Sequence, residues 1–151
     1  MNRICTLDID ELNARLRELL DLKHAKGEAE IELENARANS GGKTLAKAEE
    51  AHECAADAFG EDEAAELERL EALRDEIGSV DDLIYDEHGP FVAESSFKDY
   101  ARQLADDIGC IPSDSVNRWP ITCIDWDRAA RELRMDYSSV EYDGTTYLYR
   151  Q

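Results

Sequence analysis

Only five lysines occur in this sequence, and across residues 48–68, "AEEAHECAADAFGEDEAAELE", there is neither lysine nor arginine. No apolar run approaches the roughly 20 residues that a bilayer-spanning helix requires, so no membrane span is expected. The four cysteines, Cys5, Cys54, Cys110 and Cys123, form no C-x-x-C pair and no recognisable disulfide framework. Free thiols in a cytoplasmic protein are the expectation. The start, "MNRICTLDIDELNARL", lacks the charged-then-apolar order of a secretory signal. Proline, tryptophan and tyrosine are absent before residue 78, where Phe59 is the one aromatic residue.

What is there in excess is acid. Seventeen bases stand against 36 acids, a net charge of −19. Small soluble domains carry a net charge of about 2–8 units with both signs interspersed. A field this negative repels nucleic acid and anionic membrane, so direct nucleic-acid binding is not expected and any partner found through the field is basic. Low lysine with high acid also suits salt adaptation, which gives the charge a second explanation.

The compositional break near residue 78 predicts two units, 1–78 and 79–151, with net charges of −11 for 1–80 and −8 for 81–151. The first reads as an antiparallel, coiled-coil-like helical hairpin. Asp8 and Glu11 have capping-box spacing, and Ile9, Leu12, Leu16, Leu19 and Leu22, followed by Ala25, Ala29, Leu33 and Ala36, recur at helical intervals. "NSGG" then supplies turn residues and a glycine stop. A second helix is predicted from about Thr44 to Ile77, weakened at "FGED". Its seam is Leu45, Ala48, Ala55, Phe59, Leu70, Leu73 and Ile77, with Leu67 off to one side. The second unit reads as a small antiparallel sheet with helices on one face. "DLIYDEHGPFVAE" gives a short extended segment with a turn at His88-Gly89-Pro90. "SSFKDYARQLADDIG" gives a helix capped by Ser95 or Ser96, with Phe97, Tyr100, Ala101, Leu104 and Ile108 on its apolar face. "DWDRAARELR" gives a helix with Asp125 as N-cap, and "SSVEYDGTTYLYR" a hairpin turning at Asp143-Gly144. The fold class expected is α+β.

On a wheel for one continuous second helix, Glu49, Glu50, Glu53, Asp57, Glu61, Glu68, Glu71 and Asp75 share an arc of roughly 120°, opposite the apolar seam. Eight charges over that length give about one per 5 Å of axis. All nine acids of residues 48–68 give about one per 3.5 Å, near the ~3.4 Å per charge of a single DNA strand. Like charges at i,i+4 cost a helix roughly 0.2–0.5 kcal/mol each, so fold stability alone does not select such a row. Two readings follow: a solvated face of an acid-rich protein or coiled-coil adaptor, or a carboxylate array imitating a phosphate backbone.

The stretch "FKDYARQLADDIGCIPSDSVNRWPITCIDWDRAARELRMDYSSVEYDGTTYLYR" resembles the C-terminal domain of the ArdA-type antirestriction proteins. The matching features are a helix rich in tyrosine, alanine and acid, a link through Ile111-Pro112, and Trp119 in a turn. Ile124-Asp125-Trp126 then opens a helix with Ala129, Ala130 and Leu133, and Asp136-Tyr137 leads to a hairpin ending Tyr147-Leu148-Tyr149-Arg150. The resemblance implies a non-enzymatic, acidic, often dimeric DNA mimic carried by phages or mobile elements, which blocks a basic DNA-binding protein or complex of host defence. The domains that precede this one in the family are not recognisable here. A restriction complex, a CRISPR effector or another DNA-handling defence enzyme each fits as target. Asp106, Asp107, Asp114, Asp125 and Asp127 would extend the array.

Other chemistry is weakly supported. "SGGKT" at 40–44 resembles the end of a P-loop, but Arg37 stands where the first glycine belongs and a helix precedes it. Glu49/His52 and Asp21/His24 have the Glu-x-x-His-like spacing of di-metal bundles, which need two further helices, so a metal-dependent enzyme is the minor alternative. No cofactor and no metal are expected. Cys54 points about 200° away from His52, which leaves it without a base, and Cys110 and Cys123 are expected to pack as small hydrophobes.

Overall fold

A computed structural model describes residues 3–39, 42–78, 89–115 and 117–150. The protein is α+β, with five helices and one four-stranded antiparallel sheet among these residues. It divides into a helical unit, Asp10–Leu83, and a sheet unit composed of Met1–Ile9 and Ile84–Gln151. The first nine residues, expected to open the helical hairpin, belong instead to the sheet unit: strand β1, Thr6–Leu7, pairs antiparallel with β2, Phe91–Ala93.

In the helical unit α1 spans Ile9–Asn39, about 46 Å at 1.5 Å per residue. The single helix expected from Thr44 to Ile77 is two: α2, Gly42–Ala58, and α3, Glu61–Ile77. The break falls at Phe59-Gly60, where the "FGED" stretch was weakest. Gly60 leaves the helix in an extended conformation, and its N–H donates to the Glu63 carboxylate at 3.0 Å. A Cβ on Gly60 would sit 3.2 Å from that same carboxylate oxygen, which suits the site to glycine. The carbonyl freed at Phe59 accepts a hydrogen bond from Lys26 Nζ of α1, whose ammonium also stands 5.8 Å from the Phe59 ring centroid.

Opposed contacts establish the antiparallel arrangement. Arg15 of α1 meets Glu66 of α3, Lys26 meets Phe59, Glu30 meets His52 of α2, and Leu33 and Ala36 pack with Ala48 and Leu45. The break also resets the helical phase. Leu67, placed among the acids on a continuous wheel, is buried with Leu70, Leu73 and Ile77 on one face of α3.

In the sheet unit the strand order is β1-β2-β4-β3, with β3 at Tyr137–Tyr142 and β4 at Thr145–Arg150. Asp143 (φ 48°) and Gly144 (φ 73°) are both left-handed, as the predicted type I′ turn requires. Helices α4, Phe97–Asp107, and α5, Trp126–Leu133, bury Phe97, Ala101 and Ala130 against Val92 and Leu148, which lie opposite each other on neighbouring strands. Tyr137 packs edge-on to Phe97 (5.1 Å between centroids), and its hydroxyl lies 3.2 Å from that of Tyr100. Burial, then this hydrogen bond, pushes the Tyr100 hydroxyl up to about 12. On the other face Phe91 stacks on Tyr149 at 4.9 Å.

Several local expectations differ from what is found. Ser96 stands at the N-cap of α4, but its hydroxyl accepts from Cys5 N–H and not from the helix. Ile108 falls one residue past the end of α4 and is 65% exposed, because Gly109 (φ 75°) turns the chain away before the apolar face continues. Cys110 and Cys123 are exposed free thiols, as are Cys5 and Cys54, and do not pack as small hydrophobes. The predicted turn residue His88 lies outside the described residues.

Candidate functional site: the carboxylate rows

On α2, Glu49, Glu50, Glu53 and Asp57 are all exposed; on α3 so are Glu61, Glu68 and Asp75, with Glu71 half-buried. Because the helices are separate, the eight acids form two rows and not one continuous arc. The α2 row packs four carboxylates into about 12 Å of axis, one per ~4 Å, near the strand spacing of DNA. The α3 row spreads four over about 21 Å. Apart from Asp75, which pairs with the adjacent Arg74 at 3.1 Å, none of the eight takes part in an ion pair among the described residues. Two bases of the helical unit are held elsewhere. Arg15 grips Glu66 with two nitrogens (Nε 3.0 Å, Nη2 2.8 Å) and meets Glu18 with the third, and Lys26 is held at Phe59.

Division of the chain by its folded units also relocates the charge. The helical unit holds nine bases against 22 acids, net −13, and the sheet unit eight against 14, net −6. The near-equal split read from a boundary at residue 78 therefore gives way to a two-to-one concentration on the helices.

The acids of α1 were not among the residues expected to form the array. Its run "EAEIELE", residues 28–34, has four acids and no base, and Glu28, Glu30, Glu32 and Glu34 are exposed. Glu30 lies 3.9 Å from His52 on α2, so this run flanks the α2 row, and Glu34 follows one turn along the same side of α1. The signal in the sequence is acid at every second position with no base between, a weaker density than that of the second helix.

The sheet-unit acids Asp106, Asp107, Asp114, Asp125 and Asp127 are exposed, but two of them hold the fold together. Asp125 caps α5, its carboxylate accepting from Asp127 N–H and Arg128 N–H at 3.1 and 3.0 Å. Asp127 pairs with Lys98 at 2.7 Å, a hydrogen bond that holds the Lys98 ammonium above its ordinary range. Replacement of Asp125 by Ala is expected to cost about 1 kcal/mol through loss of the cap, while Asp125→Asn retains it. Asp114→Ala is expected to stay within about 0.5 kcal/mol. Chemical denaturation of the three variants checks the difference.

The Arg15–Glu66 pair ties α1 to α3, and its hydrogen bonds hold the Glu66 carboxyl below its ordinary 4.5. Stability from a lowered carboxyl is present above the unfolded value and lost as pH falls through the folded one. Glu66→Gln is therefore expected to melt below the parent protein at neutral pH. The gap should begin to close as pH drops below about 4.5, where the unfolded chain takes up the proton, and vanish once pH passes the lowered folded value, where Glu66 of the folded parent is neutral too. Thermal melts of both chains across pH 2–7 measure it.

The two described histidines make ordinary contacts. His24 faces Glu28 at 3.4 Å, and His52 faces Glu30 across the hairpin instead of forming a site with Glu49. Among the described residues no group of three His, Cys, Asp or Glu side chains could hold a metal ion, and no helix is long and apolar enough to cross a membrane. Comparison with family models, curated proteins and solved structures returned no match.

Proposed function

We propose that the helical unit serves as a surrogate for the DNA backbone, and that the protein inhibits a host DNA-binding defence protein by occupying its basic cleft one-to-one. The supporting observation is the pair of exposed rows on α2 and α3, seven of whose eight acids have no ion-pair partner among the described residues. Charges left unneutralised at i,i+4 cost the helix and favour a partner that supplies the opposite sign. Phosphate contacts contribute much of the affinity of DNA-binding proteins and fix register without reading sequence, so a rigid carboxylate row can block the cleft with no base edges to offer. The partner class is a basic restriction or CRISPR-type complex, a reading supported by the ArdA-like C-terminal stretch, and carriage by a phage or mobile element is part of the same proposal. The mode of action is stoichiometric and not catalytic.

The test is capture from a bacterial lysate on immobilised protein, followed by elution with rising salt. A backbone surrogate releases its partner steeply between about 50 and 200 mM salt, as DNA does. Retention through that range would argue for an apolar docking surface instead.

A further inference from the structure

We propose that the outer edge of β3 is a second docking site, which takes up an extended basic segment of a partner protein as a fifth strand of the sheet. β3 ends the sheet order, with β4 on one side and no strand on the other among the described residues. Its six residues pair with β4 in unbroken register from Tyr137↔Arg150 to Tyr142↔Thr145. In a two-residue type I′ hairpin the residues flanking the turn exchange both backbone bonds, and hydrogen-bonded pairs then alternate. Tyr142, Val140 and Ser138 therefore bond to β4, while the N–H and C=O of Ser139 and Glu141, and the C=O of Tyr137, point outward. The Tyr137 N–H is already used, donating to Arg134 O. Ser139 and Glu141 are exposed.

Proteins blunt such edges with lysine, proline, a bulge or a very short strand. The opposite edge follows that rule, since β1 has only two residues. β3 has only one of the common devices, the charge of Glu141: "YSSVEY" contains no lysine and no proline, it is six residues long, and its register is continuous. The charge of the edge selects the occupant. Residues 136–143, "DYSSVEYD", hold three acids and no base, with Asp136, Glu141 and Asp143 all exposed. A second copy of this chain would bring −19 against −19, and like charges oppose that pairing. An extended strand with Lys or Arg at alternate positions meets both the backbone groups and the carboxylates, the strand-addition mode of peptide recognition.

The probe is a blocked octapeptide of alternating lysine and valine, compared with the same peptide N-methylated at every backbone amide, so that neither edge of the extended chain can donate. The two have equal charge, but the second lacks the backbone donors a new strand requires. The full chain is titrated with each and followed by amide hydrogen exchange. The expected result is slowed exchange at Ser139 and Glu141, and binding weaker by about tenfold or more for the N-methylated peptide, the worth of two or more backbone hydrogen bonds. Equal binding of the two peptides overturns the proposal, since charge on the helices would then explain the affinity. No slowing at Ser139 and Glu141, or slowing that grows with protein concentration in the absence of peptide, overturns it as well; the latter makes a second copy the occupant. The readout is confined to β3 and stands apart from the fate of the carboxylate rows.

Discussion

Replacement of Glu49, Glu50, Glu53, Asp57, Glu61 and Glu68 by their amides is expected to leave the fold intact and to abolish partner capture. The amides match the acids in shape, and all six side chains are exposed, so nothing in the core changes. Within α2 the substitutions relieve the like-charge pairs Glu49/Glu53 and Glu53/Asp57, a gain of about 0.2–0.5 kcal/mol each, so the variant melts slightly above the parent. Solvent-facing ion pairs are worth up to about 1 kcal/mol apiece; loss of six together weakens a charge-matched complex by roughly a thousandfold. The net charge falls only to −13, so solubility is retained and a loss of capture cannot be ascribed to aggregation. A coiled-coil adaptor with a merely solvated face would keep its partner through the same change. Affinity and melting temperature, measured on one preparation, separate the two.

The largest stability effect is expected in the sheet unit, from Leu148→Ala. Leu148 is 1% exposed and is surrounded by Val92, Phe97, Ala101 and Ala130, from two strands' worth of sheet and both overlying helices. Truncation of such a leucine costs about 2–5 kcal/mol, a large part of the roughly 5–15 kcal/mol that holds a domain folded. Both tryptophans, Trp119 and Trp126, lie in this unit, so their fluorescence follows its unfolding, while far-UV circular dichroism is weighted towards the long helices of the other. In urea the fluorescence midpoint should fall sharply. Ile108→Ser, at a site 65% exposed, is the control and should move it by no more than about 0.5 kcal/mol.

Much of this architecture was legible from residue order. The Asp143-Gly144 turn was readable because few residues accept two successive left-handed conformations, and the Asp125 cap because a carboxylate before an apolar-periodic run has one obvious use. The α1 and α2 seams followed from periodicity. The failures share a cause: periodicity carries phase only while the helix is unbroken. Gly60 broke it, which returned Leu67 to the core and split the acidic arc into two rows. The capture of residues 1–9 by the sheet was not legible, because a two-residue strand has too few positions to show alternation. Nor was the role of Lys26, which depends on a carbonyl that only the break exposes. In the candidate site, exposure of the acids was predictable from the wheel. The disposal of the nearby bases on Glu66 and Phe59 depended on contacts between α1 and its partner helices.

The central claim is that carboxylates and duplex DNA compete for one surface, and competition at constant ionic strength measures it without relying on salt. Partner captured on the immobilised protein is challenged with increasing duplex DNA, with a neutral polymer in parallel. Displacement by the duplex alone, saturating at full release, is the predicted result. Co-retention of the duplex in a ternary complex, or indifference to it, would contradict the account, since the two ligands would then occupy different places on the partner.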